Sequence, residues 1–397
     1  MKLIGCICLI AGTAIGAGMI GLPIALAKSG LFLGSLLMIG TWAICYLSAL
    51  LNLELNLRAG KGLPLGALSL HYSGKKAYVA GSTSLLLLCY SLLCAYTYGG
   101  ASTLTSFEGS PLSFNQAACI YAGCLGLVML CSIQKVDLLN RFFFLGKLLV
   151  TGIILLVVFW YLDFANLPTM PQGSLVPKDM SLAIPVVFTS FGFQVIFHTV
   201  TNYTNNDPIM LKRAFFWGSL VPLLAYIAWT TVVCSLIHSH NPVLFEKMTF
   251  SGVDPGEILQ ALCHINRSPM MHHLTWAIGF FAVLTSTIGV SLGLIDALKT
   301  KHPILNNHWV AVVGALVPAL GIAILVPNAF IKALSFAGMI LSFMALLLPM
   351  YLLRCANRAE APLKYWYPIL KNPIILTAIV VYGLWVIASE LQNLFGG

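Results

Sequence analysis

The sequence predicts an all-α polytopic membrane protein with about eleven transmembrane helices. Apolar residues make up 59% of the 397-residue chain and charged residues only 8%, against about 25% charged in soluble domains. Mean hydropathy is +0.92. Apolar runs of membrane length recur along the whole chain, separated by short polar stretches. At the middle of the first run the small residues Gly12-Thr13-Ala14-Ile15-Gly16-Ala17-Gly18 gather, followed by Gly21 and Pro23.

A span takes about 20 apolar residues. By that rule the segments fall at 3–27, 31–57, 78–106, 116–134, 142–162, 181–201, 213–238, 273–298, 308–326, 330–354 and 370–394. Arg58–Lys76, Asn202–Lys212 and His238–His272 are the clearest dividers; Pro327-Asn328 is the thinnest. The longest polar connection is about 35 residues, too short for a soluble domain, so 1–397 reads as one transmembrane domain. With the N-terminus cytoplasmic, sixteen Lys and Arg fall inside, among them Lys2, Arg58, Lys75, Lys76, Lys212, Arg354 and Arg358. Five fall outside: Lys28, Lys178, Lys247, Arg267 and Lys332. Cytoplasmic loops carry such an excess, so the net charge of +9 needs no nucleic acid, and an odd span count puts the C-terminus outside. The eleven cysteines fall mostly within apolar segments and form no C-x-x-C pair, which indicates neither a disulfide framework nor a zinc site. His272-His273 and His238-x-His240 resemble metal ligands, yet adjacent loop histidines do not build a site, and no metal or cofactor is expected.

The glycine run admits several readings. Gly16-Ala17-Gly18-Met19-Ile20-Gly21 spells G-x-G-x-x-G, but that fingerprint needs a strand before it and a helix after it. Gly12 and Gly16 form G-x-x-x-G, which lets two helices approach closely. Lys2, an apolar run and Ala25-Leu26-Ala27 imitate a signal peptide, but the run is too long and is interrupted by Pro23. Each glycine weakens a helix by about 1 kcal/mol relative to alanine. Non-helical backbone at membrane depth must be buried in protein or line a cavity, which makes this stretch a candidate binding site.

Eleven spans divide as five plus five plus one: a first repeat over about 3–162, a second over about 181–354 and an extra helix over about 370–394. Consecutive five-span units have opposite topology, and inverted repeats with discontinuous first helices are a recurrent transporter plan. That plan predicts a second break in segment six. There Thr189-Ser190-Phe191-Gly192-Phe193-Gln194 lies roughly ten residues in, as the glycine run does in segment one, with Pro185 upstream.

Gly12 to Met19 with Leu22-Pro23 resembles the first helix of the aromatic amino acid permeases, the tyrosine and tryptophan proton symporters. Phe188-Thr189-Ser190-Phe191-Gly192-Phe193 and Val221-Pro222-Leu223-Leu224-Ala225-Tyr226-Ile227-Ala228-Trp229 resemble their sixth and seventh helices. Val136-Asp137-Leu138-Leu139-Asn140-Arg141 and Leu292-Gly293-Leu294-Ile295-Asp296 fit the fifth and eighth. The resemblance covers nearly the whole chain and is greatest to the tyrosine-specific branch. It implies a leucine-transporter-type fold, with helices 1 and 6 discontinuous, and secondary active uptake of tyrosine, with tryptophan as a further substrate. It also implies proton symport by alternating access across the cell inner membrane. The family commonly has histidine where this chain has Gln194, which puts that histidine's role in question here.

An amino acid brings a carboxylate and an ammonium to the site. Unpaired N–H groups at a half-helix N-terminus suit the carboxylate, which assigns Gly16, Ala17 and Gly18. Unwound carbonyls suit the ammonium, which assigns Thr13 and Ala14 with Ser190 and Phe191, and Gly192 at the second break. For the substrate ring the candidates are Phe191, Phe193 and Gln194, with Tyr90 and Tyr96 on segment three and Ser286 on segment eight. Ionisable groups within spans are costly and mark function by default. Glu54 is four residues before Arg58 and reads equally as a helix-end pair, as does Asp296 beside Lys299. His198 titrates near neutral pH. Lys147 lies well inside segment five, and in related amine transporters a lysine there takes the place of a sodium ion. Sodium coupling, exchange and another neutral amino acid are the alternatives. No nucleophile elbow, H-E-x-x-H or P-loop occurs, which argues against an enzyme or an ATP-driven pump.

Overall fold

The computed structural model describes residues 2–16, 18–107, 109–131, 133–159, 167–170, 177–250, 253–265, 269–299, 306–359 and 365–395. Among these, regular structure is helical throughout. The first segment is split into α1 (Lys2–Ala14) and α2 (Gly18–Leu26), bent by 53°. Next come α3 (Gly30–Arg58), the short α4 (Leu65–Ser73), α5 (Lys75–Thr105), α6 (Phe114–Met129) and α7 (Ile133–Phe159). The sixth segment is also broken, into α8 (Pro177–Ser190) and α9 (Phe197–Tyr203) with a 3₁₀ turn, Phe193–Ile196, between them. It is followed by α10 (Pro208–His240), the paired short helices α11 (Pro242–Phe250) and α12 (Pro255–Ile265), then α13 (Pro269–Lys299) and α14 (His308–Leu325). The chain closes with α15 (Ala329–Ser342), a π turn at Phe343–Leu347, α16 (Leu348–Ala359) and α17 (Pro373–Phe395). Among the described residues, seven helical stretches are long and apolar enough to cross a membrane, with α15 and α16 counted as one, and eight if α1 and α2 form one bent span.

Local chemistry sets the helix starts. Asp207 caps α10 by accepting from the Ile209 and Met210 N–H groups, with Pro208 following, and Asn307 caps α14 at Trp309. Ser113 and Gln116 form a capping box at α6. Each arrangement satisfies N–H groups that a helix leaves unpaired at its start.

The two broken helices sit at the centre. α1 packs on α10, and α2 on α8 and α10, while α5 and α13 pack against each other. α7 lies on α13, α15 lies on α5 and α8, and α17 covers α8 and α15 from outside. Large apolar side chains left exposed, such as Phe32, Leu127, Phe142, Leu149, Val317 and Leu384, form the lipid-facing surface. At one end α12 docks on α5: Tyr98 donates to Asp254 Oδ1 at 2.5 Å, and the Gly256 N–H donates to Ser102 Oγ at 2.9 Å. At the other end the loop after α3 is tied to α9, because the Asn202 side chain donates to Gly62 O and accepts from Gly62 N–H.

Glu54, a candidate for ion coupling, instead anchors the chain before α17. Its fully buried carboxylate accepts from Arg58 Nε at 2.8 Å and from the backbone N–H groups of Trp366 and Tyr367. The arrangement is the helix-end pair with two added backbone donors. Glu54→Ala would take the carboxylate from a buried guanidinium, which keeps Asn357 as a neutral partner, and leave two N–H groups without their acceptor, so we expect a loss of about 3 kcal/mol of stability, read as a lowered thermal unfolding midpoint in detergent.

Candidate functional site

The two breaks meet. α1 ends at Ala14 because the following residues leave the helix, and α8 ends at Ser190 because Phe191 and Gly192 turn away. Each break frees carbonyl groups at membrane depth, where no water satisfies them. The Tyr226 hydroxyl, on α10, lies 2.7 Å from Ala14 O and 3.0 Å from Ser190 O, so one phenol bridges both interrupted helices. Lys147 Nζ, from α7, donates to Ile15 O at 2.6 Å and to Thr285 Oγ1 of α13 at 3.2 Å. Gly16 O accepts from Met19 N–H, and Trp229 Nε1 donates to Met19 O at 2.5 Å. The unwound stretch is thus held by side chains from α7 and α10.

Glycine is required here by proximity. A Cβ on Gly16 would collide with Ser286 Oγ, and one on Gly18 would meet Ser190 Oγ at 2.7 Å and the Tyr226 hydroxyl at 2.9 Å. Ser286, Ser190 and Tyr226 therefore face the unwound backbone directly.

Most of the residues singled out from sequence converge on this point. Ala14, Gly16, Gly18, Ser190 and Ser286 surround it, and Phe191 sets its ring edge-on to Tyr226 at 5.6 Å between centroids. Tyr96 is buried in the same core cluster. Thr13 bonds its hydroxyl back to Leu9 O and Ser190 bonds its own to Val186 O, so their side-chain oxygens are engaged within their helices. Ala17 lies outside the described residues.

Four further candidates sit away from this point. The Tyr90 hydroxyl donates to Gly314 O on α14, and its ring packs on a second cluster away from the breaks. The physical reason is angular: six residues at about 100° each put Tyr90 and Tyr96 on different faces of α5. Phe193 packs with Phe197 and Phe215, one step beyond the break. Gln194 and His198 border a cavity of about 110 Å³ shared with Asn52, Asn56, Leu65 and Met344. Among the described residues neither buried amide atom of Gln194 meets a partner at full hydrogen-bond geometry, and its polar neighbour is the Cys45 thiol.

Tyr226, Trp229 and Thr285 were not singled out from sequence as site residues. A phenol or indole on an apolar span looks like packing; its partner carbonyls lie more than two hundred residues away in the chain for Tyr226 to Ala14 and Trp229 to Met19.

Known proteins resemble this chain over most of its length. The chain is 32% identical over 365 residues to tyrosine-specific transport system 2 of Haemophilus influenzae, covering 88% of this chain and 87% of that protein. It is 29% identical over 399 residues to tyrosine-specific transport system 1 of the same organism, covering 98% and 96%. It is also 29% identical over 404 residues to a tryptophan-specific transport protein of Pseudomonas aeruginosa, covering 99% and 94%. Residues 1–390 match the tryptophan/tyrosine permease family. The chain is a multi-pass membrane permease, not an enzyme, and belongs to the tryptophan/tyrosine permease family.

Proposed function

We propose that the protein is a secondary active transporter that imports tyrosine, with tryptophan as a further substrate, by proton symport and alternating access. The observation that carries this reading is the single hydroxyl of Tyr226 shared by Ala14 O and Ser190 O, because it brings two interrupted helices to one buried point. The relatives named for tyrosine and tryptophan transport supply the substrate class.

The proposed frame is five plus five plus one spans in the cell inner membrane, N-terminus inside and C-terminus outside. α6, α7 and the broken α8–α9 pair would bring the eight apolar spans to eleven. The packing supports an inverted repeat. If segments one to five correspond to six to ten, the α7–α13 contact pairs with α15–α5, and α5–α13 maps onto itself.

Within the site, the N–H groups of Gly16 and Gly18 lie at the start of α2, where the helix dipole favours an anion; they receive the carboxylate, and Ala17, assigned with them from sequence, lies outside the described residues. Ala14 O and Ser190 O each keep a second lone pair beside Tyr226 and receive the ammonium. Phe191 and Tyr96 flank the ring. Gln194, with two unsatisfied amide atoms, meets the phenolic hydroxyl from the cavity side, and His198 lines the same path.

Lys147 is the proposed coupling group. Its ammonium rests on a carbonyl of the first break and a hydroxyl of α13, oxygens of the kind that bind sodium in broken-helix transporters. Loss of its proton would turn two charge-assisted hydrogen bonds into weaker neutral ones and so loosen α7 from the first break. A cation already built into that place favours protons over sodium.

Uptake of labelled tyrosine into proteoliposomes, with proton and sodium gradients imposed separately, tests the reading: accumulation should follow the proton gradient alone. Lys147→Ala should abolish gradient-driven accumulation; retention of the wild-type ratio would remove Lys147 from coupling. Gly16→Leu should eliminate counterflow while the protein still inserts in the membrane. Tyr226→Phe removes one donor shared by two buried carbonyls, at about 1–3 kcal/mol, and should slow counterflow by roughly tenfold or more.

A further inference from the structure

One buried carboxyl plays no part in the site described above. Glu390 is on α17, with 2% of its surface exposed, about 8 Å from the helix end at 1.5 Å per residue. Its Oε2 accepts from the Ser335 hydroxyl of α15 and, at 3.3 Å, from Asn393 Nδ2. Asn393 in turn donates to Ser181 O of α8 at 3.1 Å and accepts from Ser181 Oγ at 2.8 Å. Four polar side chains thus lace three helices together, and every donor to the carboxyl is neutral.

No cation faces it. The described side chains of α8, Met180–Ser190, include no ionisable group. On α15 the only one is Lys332, which is exposed. α3 meets α17 through Thr41 and Tyr382, which bond to each other two turns away from Glu390, while Glu54 and Arg58 pair at the far end of α3. The π turn carries no ionisable residue, and Lys371 precedes the opposite end of α17. A carboxylate at membrane depth without a cation is costly, and a neutral acid fits this interface.

We propose that Glu390 is a second proton-binding site of the transporter, neutral while α17 is docked on α15 and α8 and ionised when that interface admits water. On ionisation the carboxyl O–H bond breaks and the proton passes to water. The residue next to Ser335 links this site to the breaks: Leu334 O accepts from Thr189 Oγ1 at 2.8 Å, and Thr189 precedes Ser190. A Cβ on Gly338, one turn along α15, would collide with Pro185 O of α8. α15 and α8 therefore move together, and the docking of α17 on both bears on the half-helix that ends at Tyr226. The link to uptake rests on the transport reading above; the protonation itself does not.

The test is infrared difference spectroscopy of the full chain in lipid nanodiscs across a pH titration, paired with tyrosine uptake at the same pH values. A protonated-carboxyl band should decline as pH rises and be missing in Glu390→Gln. Ser335→Ala removes a donor that favours the ionised form, so the midpoint should move to higher pH, by on the order of one unit. This variant decides the assignment if Glu390→Gln fails to fold. The pH dependence of uptake should flatten in Glu390→Gln. No titrating band, a band unchanged by Glu390→Gln, or an unmoved midpoint in Ser335→Ala overturns the proton site even where tyrosine is transported. A wild-type pH profile of uptake in Glu390→Gln overturns its link to transport. A band that titrates in a protein that transports no tyrosine overturns the transport reading and leaves the proton site standing.

Discussion

A bilayer supplies no water to backbone groups, so every carbonyl released by an interrupted helix must find a donor inside the protein. That constraint organises this fold. The two breaks free Ala14 O, Ile15 O and Ser190 O, and Tyr226 and Lys147 answer all three. α7 and α10 have to lie where those donors reach, which fixes α13 behind α7 and α8 beside α2. The same groups remain polar and half-committed, which suits the amino acid site proposed above.

Much of this was legible in the sequence, for reasons that differ from residue to residue. The breaks at Gly16 and at Gly192 were legible because small residues at mid-span weaken a helix and have no place in lipid-facing packing. Lys147 stood out because a cation inside an apolar run demands a partner, although nothing local indicated that the partner is Ile15 O. Tyr226 was hidden among fourteen tyrosines, since its role exists only where α1, α8 and α10 come together. Tyr90 shows the opposite error: residue type and span were suitable, but the helical face was not.

Glu390 illustrates a further limit. In sequence it falls near the end of the span over 370–394, and no neighbouring residue marks it for a role. Only the packing of α17 on two other helices encloses the carboxyl and gives it Ser335 and Asn393. Glu54 runs the other way: its pairing with Arg58 was foreseeable from a spacing of four, and the fold adds two backbone donors from a segment more than three hundred residues on. Short-range patterns report which groups need satisfaction; the tertiary fold decides what satisfies them.

The tie between Asn202 and Gly62 has a consequence for the cavity beneath Gln194 and His198. The loop that borders this space is held to α9 by a carboxamide pairing with the N–H and C=O of one residue, Gly62, and neither partner is charged. Dissolved salt does not screen such a contact as it screens ion pairs. Two neutral hydrogen bonds contribute together about 2 kcal/mol, and Asn206 Nδ2 adds a third, to Gly60 O at 2.9 Å. The rim of the cavity is thus fastened by neutral hydrogen bonds, whose strength the ionic strength of the medium leaves unchanged.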